Sequence, residues 1–108
     1  MADTPLHRIP VVAGLAYIER VRRLPPSFTA TLHPEPGNRY FLTAIAVHVD
    51  NEKVGYVALE ISPRYFEPLE AHGTPLTCPG RCSASSDHQT SGVELLLDFS
   101  SLPLEAAE

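Results

Sequence analysis

The sequence lacks a long apolar run, a basic excess and a dense cysteine pattern, and each absence removes a class of function. No stretch approaches the roughly 18 uninterrupted apolar residues of a membrane helix. The longest candidates, Ile9 to Ile18 and Tyr40 to Val49, are far shorter, so the expectation is no membrane span. The N-terminus carries Asp3 and no basic run ahead of an apolar segment, so it does not read as a secretory signal. Two cysteines without such a signal point to free thiols in a reducing cytosol, hence to a cytoplasmic protein. The net charge of −5 argues against a basic protein that coats DNA or lipid by bulk attraction.

Catalytic signatures are missing too. There is no Gly-rich phosphate loop, Gly-x-Ser-x-Gly elbow, His-Glu-x-x-His helix or calcium loop. The sequence therefore offers little to an enzyme, and the expectation is a non-enzymatic protein without a cofactor. His72, Cys78, Cys82 and His88 form the pattern H-x5-C-x3-C-x5-H, built of good zinc ligands at a spacing unlike a standard finger. The spacing favours two small cysteines beside a Pro-Gly turn, and no metal is expected.

What the chain does have is 108 residues with 11 prolines, enough for one domain built of short elements and tight turns. Period-two alternation places Phe28, Ala30 and Leu32 on one face and Thr29, Thr31 and His33 on the other. Ile45, Val47 and Val49 alternate likewise against Ala44, Ala46 and His48. Asp50-Asn51 then reads as a two-residue hairpin turn, with Val47 expected opposite Val54 and Ile45 opposite Tyr56. Further strands are expected over Val11 to Arg23 and Val93 to Phe99, and a weaker one over Thr74 to Cys82, broken by Pro75 and Pro79. Ser83 to Gly92 reads as a polar loop. One short helix is expected from a Ser62 cap through Pro63 to a Gly73 stop, with Tyr65, Phe66 and Leu69 sharing one side and Pro68 keeping it short or irregular. The fold expected is mainly β, a small barrel of about five or six strands with one short helix, spanning residues 11–100. Residues 1–10 are its lead-in and 101–108 an acidic tail.

Charge is uneven along the chain. Residues 1–40 hold five arginines (Arg8, Arg20, Arg22, Arg23, Arg39) against three acids, and residues 41–108 hold three bases against ten acids. An anionic ligand is expected to approach the surface built by the first half. Within that half, Pro34 and Pro36 end a strand, Gly37-Asn38 permit a sharp turn, and Arg39-Tyr40-Phe41 present a cation and two rings before the next strand. Rings beside a guanidinium suit nucleobases and phosphates.

Glu35-Pro36, Asn38, Tyr40, Ala44-Ile45 and Val54-Gly55-Tyr56, with Val12-Ala13-Gly14-Leu15-Ala16-Tyr17 upstream, resemble the signature of the HIRAN domain. The likeness spans roughly residues 11–73 and several separated pieces occur in the family's order. It implies an OB-like small barrel that captures the 3′ end of single-stranded DNA, with Tyr17 and Tyr40 as stacking rings and Asn38 as a polar contact. Arg39, Phe41 and Tyr56 fall at neighbouring positions of the same site. Here Phe41 stands for the family's Asp, Thr43 for its Asn, Arg39 for its Pro, Ala16 for an Arg, Tyr56 for a His, and Leu59 for a basic residue. Losing the Asp removes an acceptor for a terminal hydroxyl, so end specificity is expected to be weakened. Many HIRAN domains are fused to DNA-repair helicases or nucleases, and this short chain would serve a separate enzyme of that kind as an accessory. The alternative is a HIRAN-like protein-interaction domain with an eroded DNA pocket.

Overall fold

The computed structural model describes residues 6–12, 17–84 and 93–102. The polar loop expected over Ser83 to Gly92 falls mostly outside them, as do Ala13 to Ala16, His88 and most of the acidic tail. A 3-10 turn at Leu6–Arg8 leads into β1 (Ile9–Val12), then α1 (Ile18–Arg22), β2 (Ser27–Pro34), β3 (Ile45–Val49) and β4 (Glu52–Val57). α2 (Ser62–His72), β5 (Leu76–Ala84) and β6 (Val93–Leu97) follow. The strands close into a barrel in the order β1-β4-β3-β2-β5-β6, every neighbouring pair antiparallel. Closure leaves no open sheet edge, which in so small a sheet would otherwise invite pairing with other chains. No helix among the described residues is long and apolar enough to cross a membrane.

The alternation in β2 is realised: Ala30 and Leu32 are fully buried, while Thr29 is exposed and His33 half-buried. Leu32 sits opposite Val47 of β3 on one side and Leu76 of β5 on the other. It joins a core that includes Ile9, Ile45, Val54, Val57, Leu97 and Phe99. Tyr65, Phe66 and Leu69 of α2 enter the same core, Tyr65 meeting Phe99 edge-on at 5.1 Å between ring centroids. Gly73 ends the helix with φ of 86°, a left-handed conformation that glycine adopts without strain.

Several expectations are corrected. The segment Val11 to Arg23 is not one strand. β1 stops at Val12, and Ile18 to Arg22 form a helix that buries Val21 and pairs Glu19 with Arg22 one turn on, at 3.3 Å. A second helix is therefore present where only one was expected. β1 also begins at Ile9, which is buried, two residues before the expected start of the strand at Val11. β5 runs through Pro79 unbroken, with the Pro79 carbonyl accepting the Asp98 amide at 2.9 Å. Ser62 does not cap α2. Ile61 holds that position, and Ser62 lies wholly buried in the first turn with its hydroxyl 3.3 Å from that of Thr43.

The β3–β4 hairpin turns through Asp50 and Asn51 with φ of 53° and 66°, the pair of positive values that a two-residue hairpin requires. Its register begins as expected, with Val49 opposite Glu52 and His48 opposite Lys53. A bulge between Val47 and His48 then shifts it, so that Val47 faces Gly55 and Ala46 faces Tyr56. The expected pairs Val47–Val54 and Ile45–Tyr56 do not form.

Candidate nucleic-acid interface

That one-residue shift assembles the site. In an unbroken strand Lys53 and Tyr56, three apart, would point to opposite faces. The bulge turns both outward, beside His48 and Ala46 of β3. On this outer face the Lys53 Nζ donates to the Tyr56 hydroxyl at 2.9 Å and to the Glu35 Oε2 at 2.8 Å, and the Tyr56 hydroxyl donates to Glu35 Oε1 at 2.9 Å. Glu35 stands just past the end of β2, two residues from His33 and thus in phase with it.

Glu35 also anchors the loop between β2 and β3. Its amide donates to the Ala44 carbonyl at 2.8 Å, and the Asn38 amide donates to its carbonyl at 3.0 Å. The Asn38 side chain donates to Glu35 Oε1 at 3.0 Å, while its Oδ1 accepts the backbone amides of Tyr40 and Phe41 at 2.8 and 2.9 Å. Asparagine suits this position because a short amide can satisfy turn amides and still reach a carboxylate. The fixed turn holds Tyr40 at 81% exposure, Phe41 at 41% and Leu42 at 84%. Arg39 is exposed beside them and forms no ion pair among the described residues.

On the other side of Lys53, α1 supplies a cation. Arg20 donates to the Lys53 carbonyl at 2.7 Å, pairs with Glu52 at 3.2 Å, and lies 5.9 Å from the centre of the Tyr17 ring. One continuous set of contacts thus runs from Tyr17 through Arg20, Lys53, Tyr56 and Glu35 to Asn38 and the amides of Tyr40 and Phe41. Of the six residues expected to form the site, five belong to this chain of contacts, and Arg39 is adjacent to it. Asn38 and Tyr56 differ in role from a direct contact: the Asn38 oxygen is taken by the turn, and the Tyr56 hydroxyl bonds Glu35 and Lys53.

Sequence reasoning missed Lys53, His33 and His48 as site residues, named Glu35 only as part of a motif, and counted Arg20 only among the arginines of the basic first half. Strand phase alone places His33 and His48 outward; nothing in the sequence announces the bulge that brings Lys53 and Tyr56 together. His33 and His48 lie with ring centroids 4.3 Å apart and planes tilted by 40°. His33 also lines a cleft of about 300 Å³, shared with Pro34, Pro36, Leu69, Glu70 and Thr74.

The cysteines lie elsewhere, on β5. Four residues along one strand separate Cys78 from Cys82 by about 13 Å, at roughly 3.3 Å per residue. Two thiolates on one tetrahedral zinc stand only about 4 Å apart, so this pair does not share an ion. Burial, reinforced by the charge of Asp98, pushes the Cys78 thiol up to about 12, and burial raises Cys82 as well. Neither is a ready nucleophile at neutral pH. Among the described residues no cluster of three or more His, Cys, Asp or Glu is placed to hold a metal.

Electrostatics make the site acid-sensitive. Burial would raise the Glu35 carboxyl, but hydrogen bonds from Lys53, Asn38 and Tyr56 and the Lys53 charge outweigh it, holding Glu35 below its ordinary 4.5. Burial, followed by the charges of His33, Lys53 and Arg20, holds His48 below its ordinary 6.5 against the opposing pull of Glu35. In both cases the unfolded chain binds more protons than the native one, so stability falls on acidification. The loss from His48 begins as pH drops below about 6.5, and that from Glu35 below about 4.5. Thermal melts from pH 7.5 to 4 are expected to show a falling midpoint, with a smaller fall between pH 7.5 and 5.5 in His48→Gln.

Compared with protein-family models, curated proteins and solved structures, the chain has no significant match.

Proposed function

We propose that this protein is a non-enzymatic nucleic-acid binding module that takes single-stranded DNA across the β2–β3–β4 face, with bases stacked on Tyr40. The observation that carries this reading is the Tyr40 ring, 81% exposed on a turn fixed by Asn38. A ring held rigidly in water loses little freedom when a flat base covers it, and stacking of this kind is worth about 1 to 3 kcal/mol per base. Arg39, exposed next to Tyr40 in the chain, and Arg20, held beside Lys53, supply cations for phosphates despite the acidic balance of the whole chain. The HIRAN resemblance, carried by its motif residues alone, supports the same ligand.

Selectivity for a 3′ end is weak in this reading. Phe41 supplies no acceptor for a terminal hydroxyl, and the amides of Tyr40 and Phe41, which could hold a terminal phosphate, donate to Asn38 instead. The module then recruits strands for a separate helicase or nuclease in the cytoplasm. Leu42 favours a second reading. An aliphatic side chain 84% exposed offers no flat face to a base and fits an apolar groove on a protein partner.

Labelled oligothymidylate binding at low and moderate salt separates the two. The single-strand reading expects weak, salt-sensitive binding that Tyr40→Ala reduces by about 1 to 3 kcal/mol. Arg39→Ala should flatten the slope of log affinity against log salt by about 0.7, the value of one phosphate contact on a single strand. Phe41→Asp should raise preference for a 3′-hydroxyl over a 3′-phosphate end. No binding at low salt would transfer the function to protein interaction.

A further inference from the structure

We infer that His33 and His48 form a phosphodiester-binding subsite that is switched on by protonation, so that single-strand affinity rises as pH falls. The inference rests on the single-strand reading above and assigns the place where the backbone crosses the barrel. The rings come from adjacent strands. His33 lies opposite Ala46 and His48 opposite Thr31, so the two are diagonal neighbours on the outer face with centroids 4.3 Å apart. Neither imidazole hydrogen-bonds to any of the described residues, although Glu35, Asn38, Lys53 and Tyr56 beside them are tied together.

Two imidazoles this close repel when both are charged, and their neighbours add to the repulsion. Lys53 stands directly opposite His48 in β4, and Arg20 of α1 reaches the same region. The acids in reach are few. Glu35 is engaged by Lys53, Tyr56 and Asn38, Glu52 pairs with Arg20, and Glu70 of α2 shares only the cleft beside His33. β5 places Leu76 and Thr77 alongside β2, neither of them charged. Lys53 and Arg20 are the partners that engage Glu35 and Glu52, so beyond Glu70 the pair has no unengaged carboxylate among the described residues to meet it, and the missing component is an anion with several acceptors. A phosphodiester supplies this: its two unesterified oxygens accept from both imidazolium rings and carry the charge that offsets their repulsion.

Because His48 in the free protein holds its proton weakly and a bound phosphate would favour the charged form of both rings, binding takes up protons. Each proton taken up raises affinity by up to about tenfold per pH unit.

The test uses the full chain and a fluorescent oligothymidylate, titrated at several salt concentrations at pH 8.0 and 5.5, with circular dichroism confirming the fold at both. Affinity should rise about tenfold or more at pH 5.5, and the salt slope should steepen by about 0.7, one added phosphate contact. The His33→Gln/His48→Gln double variant should lose both the rise in affinity and the added slope between pH 8.0 and 5.5. In the parent, NMR titration should show both imidazoles shifting to higher pKa when the oligonucleotide is added. Binding with the same slope at both pH values, or unchanged imidazole titrations in the complex, would overturn the subsite while leaving the single-strand reading intact. Absence of binding at either pH would overturn both.

Discussion

Leu32→Ala is expected to lower the unfolding free energy by about 2 to 5 kcal/mol, the cost of truncating a wholly buried leucine and leaving a cavity. Leu32 is 0% exposed and flanked by Val47 and Leu76 on the two strands beside it. A closed barrel has little freedom to collapse around a lost side chain, because moving β2 inward would break ladders on both sides. The chain holds its own control ten residues on. Leu42 is 84% exposed, so Leu42→Ala should change stability by no more than about 0.5 kcal/mol. Paired urea melts decide the matter: equal midpoints for the two variants would contradict the assignment of Leu32 to the core. Under the protein-interaction reading, Leu42→Ala would still weaken partner binding.

The second large effect is at Glu35. Its carboxylate accepts from Lys53, Tyr56 and Asn38, so Glu35→Ala removes three hydrogen bonds and leaves a half-buried ammonium without its partner. Hydrogen bonds to charged groups contribute about 1.5 to 3 kcal/mol each when well enclosed. The pair is about one quarter exposed, and solvent screening brings the expected total loss to about 2 to 3 kcal/mol. Glu35→Gln, which keeps an acceptor and loses the charge, should cost less. The alanine variant should also weaken oligonucleotide binding with every stacking ring still present, because Asn38 loses the group that orients it. Chemical denaturation together with hydrogen exchange at the Tyr40 and Phe41 amides tests both parts. Unchanged protection of those amides would show that the turn stands without Glu35. Since burial by itself raises this carboxyl and its donors lower it, the difference between Glu35→Ala and the parent should shrink as pH drops below about 4.5.

The residues at the turns and at the end of α2 were legible in sequence as turn or stop residues because their roles are local. Asn38 accepts amides two and three positions ahead, Gly73 takes a left-handed φ, and Asp50-Asn51 supply the two positive φ values of a hairpin. Each depends on one residue's own conformational preference. The alternation in β2 was legible for a similar reason: a strand with one face in the core must place apolar residues at every second position, and Ala30 and Leu32 do so.

The bulge between Val47 and His48 belongs to the tertiary structure alone. Strict alternation would send Tyr56 inward with Val54, burying a phenol hydroxyl among valines at the cost of an unmade hydrogen bond. One extra residue in β4 keeps Val54 and Val57 in the core and turns Tyr56 out to Glu35 and Lys53. No local pattern encodes that choice, since the acceptor lies 21 positions away along the chain. The same holds for α1. Its apolar residues also fit a strand, and what favours the helix is the burial of Val21 and the reach of Arg20 to the Lys53 carbonyl 33 residues on. Sequence by itself determined a β-rich domain with a ring-bearing turn after β2. Barrel closure, through β1 pairing with both β4 and β6, decided which side chains share the face beside that turn, because only closed pairing fixes the register of all six strands together.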